Sequence, residues 1–390
     1  MDYVAVKKSL SCASVKPRYF RLAEAIQDCI ESGSLKRSDK IPSQRELMTN
    51  LGLSDSTVNR AIRELEARGI VYSRQGQGTF VADKVKSQAT TIVALVPSRP
   101  NVSYDTEIVW HAEQAAHRGG YELMVCNTED NFSKVDTYLD RLLSKDANMI
   151  LGVLYVPVAT NCDDYYERNM ERIARIQRLG IKVVLCDRNF LNQPDAIAAY
   201  KLDAVYSDDM RGSRAVVEHF ISLGRRRIAL LSGPMDSNVE NRITGYRQAL
   251  HDNGLSYMSE LVKFVDSYER PEDVAPMVDE LLATPDGIDA IFAINDRAAE
   301  AVLECLQSRG VCVPDDVSLS GYDNMEHSRY LSIPLTTVDR ANGEIGEKAV
   351  ELLLEQVENP RNYPRHIALP TQLIIRQSSC SSEQLAEMKA

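Results

Sequence analysis

The chain reads as two folded parts: a small α+β module of three helices and a β-hairpin, then a large α/β domain whose parallel strands form two similar halves. Three observations carry this. At 390 residues the chain exceeds one ordinary domain. Helix-periodic text over about residues 17–68 runs into a glycine-rich hairpin. From residue 91, continuous apolar runs alternate with helical stretches, the pattern of a parallel sheet covered on both faces.

Composition narrows the class. With 44% hydrophobic and 26% charged residues the chain can bury a sizeable core. No apolar run reaches the roughly 18 to 20 residues of a membrane span. The opening MDYVAVKKSLSCASV holds no apolar stretch long enough for export, so a cytoplasmic protein is expected. Cys12, Cys29, Cys126, Cys162, Cys186, Cys305, Cys312 and Cys380 form no CxxC pair and read as reduced thiols. His111 and His117, six apart, do not share a helical face, and no HExxH occurs, so neither a metal nor a cofactor is expected. The net charge of −11 hides a division: residues 1–86 hold 15 Lys and Arg against 10 Asp and Glu, the remainder 30 against 46. A basic module suited to phosphate precedes an acidic body that stays off it.

Residues 1–16 read as a flexible tail and 17–81 as the module. In PRYFRLAEAIQDCIESGSL, Phe20, Ala23, Ile26, Cys29 and Ile30 recur at helical spacing between Pro17 and Gly33. Ser43 is an N-cap with Glu46 three residues on, Gly52 ends a short helix, and Ser54 or Asp55 caps a longer one. This is a helix-turn-helix pattern. After Gly69, the alternation around SRQGQG makes two strands of a wing, whose Gly76 and Gly78 let the backbone approach a groove. The long helix carries Ser56, Thr57, Asn59, Arg60 and Arg63 in its first half, where a recognition helix reaches base edges and phosphates.

The stretch KIPSQRELMTNLGLSDSTVNRAIRELEARGIVYSRQGQGTFV resembles the GntR family of winged helix-turn-helix regulators. The resemblance implies operator contacts from Arg45, Ser56, Thr57 and Gly76, with Asn59 and Arg60 as further candidates for base reading. Asp55 and Asn59 stand where that family usually shows arginines, so its usual operator is not carried over.

Residues 82–90, ADKVKSQAT, are polar and aperiodic and read as a linker. The body then runs TIVALVPS, a helix, YELMVCNT, a helix, MILGVLYV, a helix and KVVLCD. The second half repeats the scheme from DAVYSDD through RRIALLSG, LVKFVDS, AIFAIND and VSLSGYDN. In such sheets ligands bind beyond the carboxyl ends of strands. The polar residues there are Asp187, Arg188, Ser232, Asn295, Asp296 and Asp323, with Arg242 opening a helix. Carboxylates, an amide and a guanidinium suit a polyhydroxyl ligand, although each Asp or Asn singly also serves as a helix cap.

The strings NRITGYRQALHDNGL, AIFAINDRAAEAVLECLQSRGVCVPDDVSLSGYDN and IPLTTVDRANGEIGEKAVELLLE are similar to the effector domain of LacI-type repressors, which is related to periplasmic sugar-binding proteins. The similarity implies an α/β domain of two lobes with two parallel sheets over about 91–380. Lobe 1 takes about 91–203 plus 340–368, and lobe 2 about 204–339 plus 369–380. It also implies an effector cleft lined by Asp187, Arg242, Asn295 and Asp323, with Arg188 and Asp296 beside them. Around Asn101 to Tyr104 no family pattern carries over. The combination resembles the arabinose-repressor subgroup of bacterial regulators. It implies a homodimer on operator DNA, released by a small sugar, L-arabinose first among candidates. A purine or other non-sugar effector, or an activator or corepressor sign, is the alternative. An enzyme is not expected: no P-loop, GxSxG or strand-following GxGxxG occurs.

Overall fold

The computed structural model describes residues 3, 6, 7, 17–31, 33–36, 39–67, 70–74, 77–81, 90–97, 103–145, 147–159, 164–190, 200–268 and 270–381. The chain divides into two compact units, Met1–Ala89 and Thr90–Ala390.

In the first unit, α1 (Arg18–Glu31), α2 (Gln44–Leu51) and α3 (Asp55–Ala67) precede the antiparallel hairpin of β1 (Val71–Arg74) and β2 (Gly78–Val81). The apolar stripes of the three helices close on Leu22, Ile26, Leu47, Val58, Ile62 and Leu65, with Ile70 and Val81 from the hairpin. Val6, expected in a flexible tail, is instead buried in this core, because an apolar side chain within reach of the stripe gains by leaving water. The other residues assigned to the tail, apart from Tyr3 and Lys7, and the linker residues 82–89 lie outside the described residues.

A complete capping box starts α2: the Ser43 hydroxyl accepts from the Glu46 N–H, and the Ser43 N–H donates to the Glu46 carboxylate at 2.8 Å. Gly52, at φ 64°, supplies the left-handed residue that stops the helix. Of the two candidate caps for α3, Ser54 takes the position, since the Val58 N–H donates to its carbonyl and the Thr57 N–H to its hydroxyl. Asp55 is the first helical residue rather than the cap.

The second unit holds two parallel sheets. The larger has six strands in the order β13 (His366–Leu369), β7 (Asp203–Ser207), β6 (Lys182–Cys186), β5 (Ile150–Tyr155), β3 (Thr91–Val96), β4 (Glu122–Asn127). Helices α4 (Ser103–Arg118), α5 (Phe132–Lys145) and α6 (Tyr165–Gln177) link its first strands. The smaller sheet orders β11 (Ser318–Ser320), β10 (Ala290–Ala293), β8 (Ile228–Ser232), β9 (Val262–Phe264). It is covered by α7 (Asp209–Ser222), α8 (Ser237–Asp252), α9 (Pro271–Leu282) and α10 (Asp296–Ser308). Every residue of β5, β8 and β10 is buried, which is why those strands read as unbroken apolar runs.

One strand changes sides relative to the sequence expectation. Asp203–Ser207, grouped with the second half, hydrogen-bonds between β6 and β13 in the first sheet, so the passage to lobe 2 falls after Ser207. The chain returns after β12 (Thr337–Asp339) into α11 (Asn342–Glu358), which packs on α4 and β5 to β7 of lobe 1. It crosses a third time between β13 and β14 (Gln372–Ile374), the antiparallel partner of β12. A Cβ at Gly346 would collide with the Ile108 carbonyl, so the glycine lets α11 lie directly on α4.

Candidate functional site

The first unit presents a polar, basic surface. Arg45 is exposed on α2, and Ser56, Arg60 and Arg63 are exposed on α3. Thr57 is half-buried, its hydroxyl 2.8 Å from that of Ser54, which also lies 3.1 Å from the Ser56 hydroxyl. Asn59 donates its amide to an Asp55 oxygen at 2.8 Å, so the departure at these two positions is one coupled pair. Arg60 leans back over the Tyr19 ring of α1, 4.3 Å from its centroid. Gly76 lies outside the described residues.

Two cations were not singled out in the sequence. Lys40 pairs through its backbone with Phe80, and its side chain lies against Gly78, where a Cβ would strike it. With Arg45, Asp55 and Thr79 it lines a concavity of about 410 Å³ between α2 and the hairpin. Arg74 lies along the stacked rings of Tyr72 and Phe80 on the wing. Exposed cations on a helix-turn-helix and its wing are what phosphate contact requires. Alternation alone leaves a β-strand arginine indistinguishable from a solvated one.

In the second unit, Asp187, Arg242 and Asp323 come together as the strand-end argument requires. Asp187 follows β6 at φ 67° and Asp323 follows β11 at φ 98°, left-handed turns that Asp tolerates better than most residues and that often mark functional sites. Asp236 caps α8 by accepting from the Asn238 and Val239 N–H groups, both at 2.9 Å. One turn further, Arg242 is buried over the Tyr322 ring, 3.8 Å from its centroid. Its Nε donates to Asp209 at 3.0 Å, one Nη to the Ile294 carbonyl at 2.6 Å and the other to Asp323 at 3.0 Å.

A second guanidinium, Arg340, completes the set from the crossing after β12. It donates from Nε to the Ser207 hydroxyl at 3.0 Å and from Nη to Asp187, and it lies 3.5 Å from Asp323 and 3.7 Å from Asp209. Burial by itself would lower both arginine pKa values, but the facing carboxylates raise them, so both stay charged. Burial pushes the Asp323 carboxyl up while Arg242 and Arg340 pull it back.

The side chains expected to face a guest are thus also engaged with one another. That is what physical chemistry demands of charges at a few percent exposure, since unpaired buried ions are prohibitive. The lobes meet here too. Asn238 donates to Asp187 at 3.3 Å and the Asn189 N–H to the Ser237 hydroxyl at 2.9 Å. Arg188 spans the gap, reaching Asp130 at 2.5 Å and the Pro157 carbonyl at 2.8 Å on one side and Asp236 at 2.9 Å on the other.

Two expected residues take other places. Asn295 is half-buried and caps α10, accepting from the Ala298 N–H at 2.8 Å. Asp296 points into lobe 2, where the Met325 N–H and the Thr337 hydroxyl donate to its two oxygens at 2.7 and 2.5 Å. Its carboxyl, pushed well above the usual range by burial, braces the loop that carries Asp323. Asp209, Asn238 and Arg340 were missed, though the strings SDD and TTVDR held two of them at lobe crossings. Asn101, in the loop that matched no family pattern, lies outside the described residues.

Residues 18–81 match the model for bacterial regulatory proteins of the gntR family, and 217–379 match the periplasmic binding protein-like domain. An arabinose metabolism transcriptional repressor of Geobacillus stearothermophilus is 27% identical over 88% of this chain and 92% of its own. A transcriptional repressor named PurR from Mannheimia succiniciproducens is 29% identical over 76% of this chain and 84% of its own. The solved complex of the regulator CelR with cellobiose, 22% identical with a TM-score of 0.63, covers 97% of this chain and 100% of its own and shares the fold. No helix among the described residues is long and apolar enough to cross a membrane. Fold, matched families and relatives agree: this chain is a DNA-binding transcriptional regulator, not an enzyme, that joins a gntR-family helix-turn-helix domain to a periplasmic-binding-protein-like domain of LacI type.

Proposed function

We propose that the protein is a repressor that leaves its operator when a small sugar, L-arabinose first among candidates, enters the cleft between the lobes. The observation that carries the reading is the grip of Arg242 on Asp209 and Asp323 beside Arg340 and Asp187, where both lobes end their strands. Hydroxyls both donate and accept, so a polyol can insert into such a network and keep its ions satisfied. Arg242 uses three of the roughly five N–H donors of a guanidinium on protein acceptors, leaving donors for a guest. The arabinose-metabolism relative supports the sugar class.

Two chains pair through their second units and hold two winged modules at the spacing of an operator palindrome. Arg45, Ser56, Thr57, Asn59, Arg60 and Gly76 meet the DNA. Sugar binding alters the lobe contacts at Asp187, Arg188 and Arg340 and so shifts the linkers. Such coupling is typically about 1 to 3 kcal/mol and reciprocal, so operator DNA weakens sugar affinity by the same factor.

A thermal-shift screen of monosaccharides and purines tests this. A true effector at a hundredfold its Kd adds about 2.7 kcal/mol of stability, and silence from every sugar removes the reading. A response to purines alone establishes the second reading, an effector of that class in the same cleft. Operator binding measured with and without the effector gives the sign.

A further inference from the structure

Among the described residues, the charges brought together at the lobe junction do not balance, and their imbalance restricts what can enter. Asp187, Asp209 and Asp323 face Arg242 and Arg340, three carboxylates against two guanidiniums. All five side chains are at most 5% exposed. The neighbouring set leans the same way: Arg188 stands between Asp130 and Asp236, one cation between two carboxylates, each no more than 13% exposed. Among the described residues, each guanidinium that the strand ends bring to this place already faces at least two carboxylates. Even with Asp323 protonated, the central set reaches neutrality and never a positive balance. Carboxylates are acceptors only, so the surplus also asks the guest to donate more hydrogen bonds than it accepts.

We propose that the cleft selects an uncharged guest rich in hydrogen-bond donors and turns away phosphorylated sugars and sugar acids. The inference rests on the sugar-effector reading and specifies it. A phosphate monoester brings up to two negative charges and acceptor oxygens into a place where surplus acceptors already crowd two paired cations, and like charges in a desolvated site are strongly unfavourable. A neutral pentose or hexose adds no charge and offers several hydroxyl protons to the carboxylates.

Calorimetric titration of the full chain with neutral pentoses and hexoses, L-arabinose first, decides the matter. Each neutral sugar that binds is compared with its phosphate monoester and its carboxylic acid derivative. The expected result is that both anions bind at least about 100-fold more weakly than the parent sugar. An anion binding as tightly as its parent overturns the inference and leaves the sugar reading standing; no binding by any member removes both. In a folded Asp187→Asn protein the discrimination should narrow by roughly tenfold, because one carboxylate charge facing the guest is gone. An unchanged ratio there also counts against the inference. Should that variant not fold, the wild-type ratios decide alone.

Discussion

Arg188 Nε lies 2.9 Å from an Asp236 oxygen, so the residue that ends a strand of one lobe holds the cap of the other lobe's Arg242 helix. One carboxylate serves two ends: it satisfies the first N–H groups of α8 and it neutralises a cation from across the cleft. Lobe approach and helix capping are thereby one interaction.

Asp236→Ala should therefore cost more than an ordinary cap. Loss of an N-cap is worth about 0.5 to 2 kcal/mol, and the ion pair with Arg188 adds to it, by less than the roughly 3 to 5 kcal/mol of a fully buried pair because Arg188 keeps Asp130. Urea unfolding should show a loss of about 2 to 3 kcal/mol. A loss of about 1 kcal/mol or less, that of a cap alone, would mean that the pair does not hold.

Arg242→Ala leaves Asp209 and Asp323 facing each other in a buried place with only Arg340 between them. Breaking a buried pair by removing one partner typically costs about 3 to 5 kcal/mol. The expected outcome is a lowered Tm together with lost effector binding, while operator binding below the Tm is retained. Intact effector affinity in this variant refutes the assignment of Arg242 to the cleft.

Arg45→Ala acts on the other unit and on no interior contact, since Arg45 is exposed. It should weaken operator binding, reduce the magnitude of the salt slope of log K by about one, and leave both Tm and effector affinity unchanged. Gel-shift titrations at several salt concentrations measure this. Parallel losses in DNA and effector binding would refute the division of labour between the units.

His219 gives the second unit an acid-sensitive point. The ring is buried on α7 with Nε2 2.8 Å from the Ser379 hydroxyl, and burial lowers its pKa to about 4. The folded state holds it neutral while the unfolded chain binds a proton from about pH 6.5 downward. Stability from this group is complete above pH 6.5, declines as pH falls, and is lost by about pH 4. The difference corresponds to about 3 kcal/mol. Comparing unfolding at pH 7 and pH 4.5 for wild type and His219→Phe isolates it: the variant should lose less on acidification, and an equal loss contradicts the assignment.

Much of this architecture was legible along the chain. The capping box at Ser43 and Glu46, the left-handed stop at Gly52, the glycine-rich wing and the unbroken apolar strands are local statements. Helix ends and buried strands impose them within a few residues of sequence. That Asp187, Arg242 and Asp323 lie close together was likewise readable, because the strand ends of parallel sheets converge on one edge. The choice between Ser54 and Asp55 was not, since adjacent residues can each cap and only the backbone decides which one does.

What the tertiary structure alone decided lies at long range. The place of Asp203–Ser207 depends on its pairing with β13, whose residues follow it by more than 150 positions and carry no local sign of it. Asp296 and Asp323 look alike at strand ends, yet Thr337 and Met325 draw one inward while two arginines hold the other at the lobe junction. Arg340 meets Asp187 from 153 residues away. Periodicity specifies which face of an element leaves water. Only the assembled fold specifies which buried charges become neighbours, because a desolvated ion is tolerated solely where three dimensions supply its counterion.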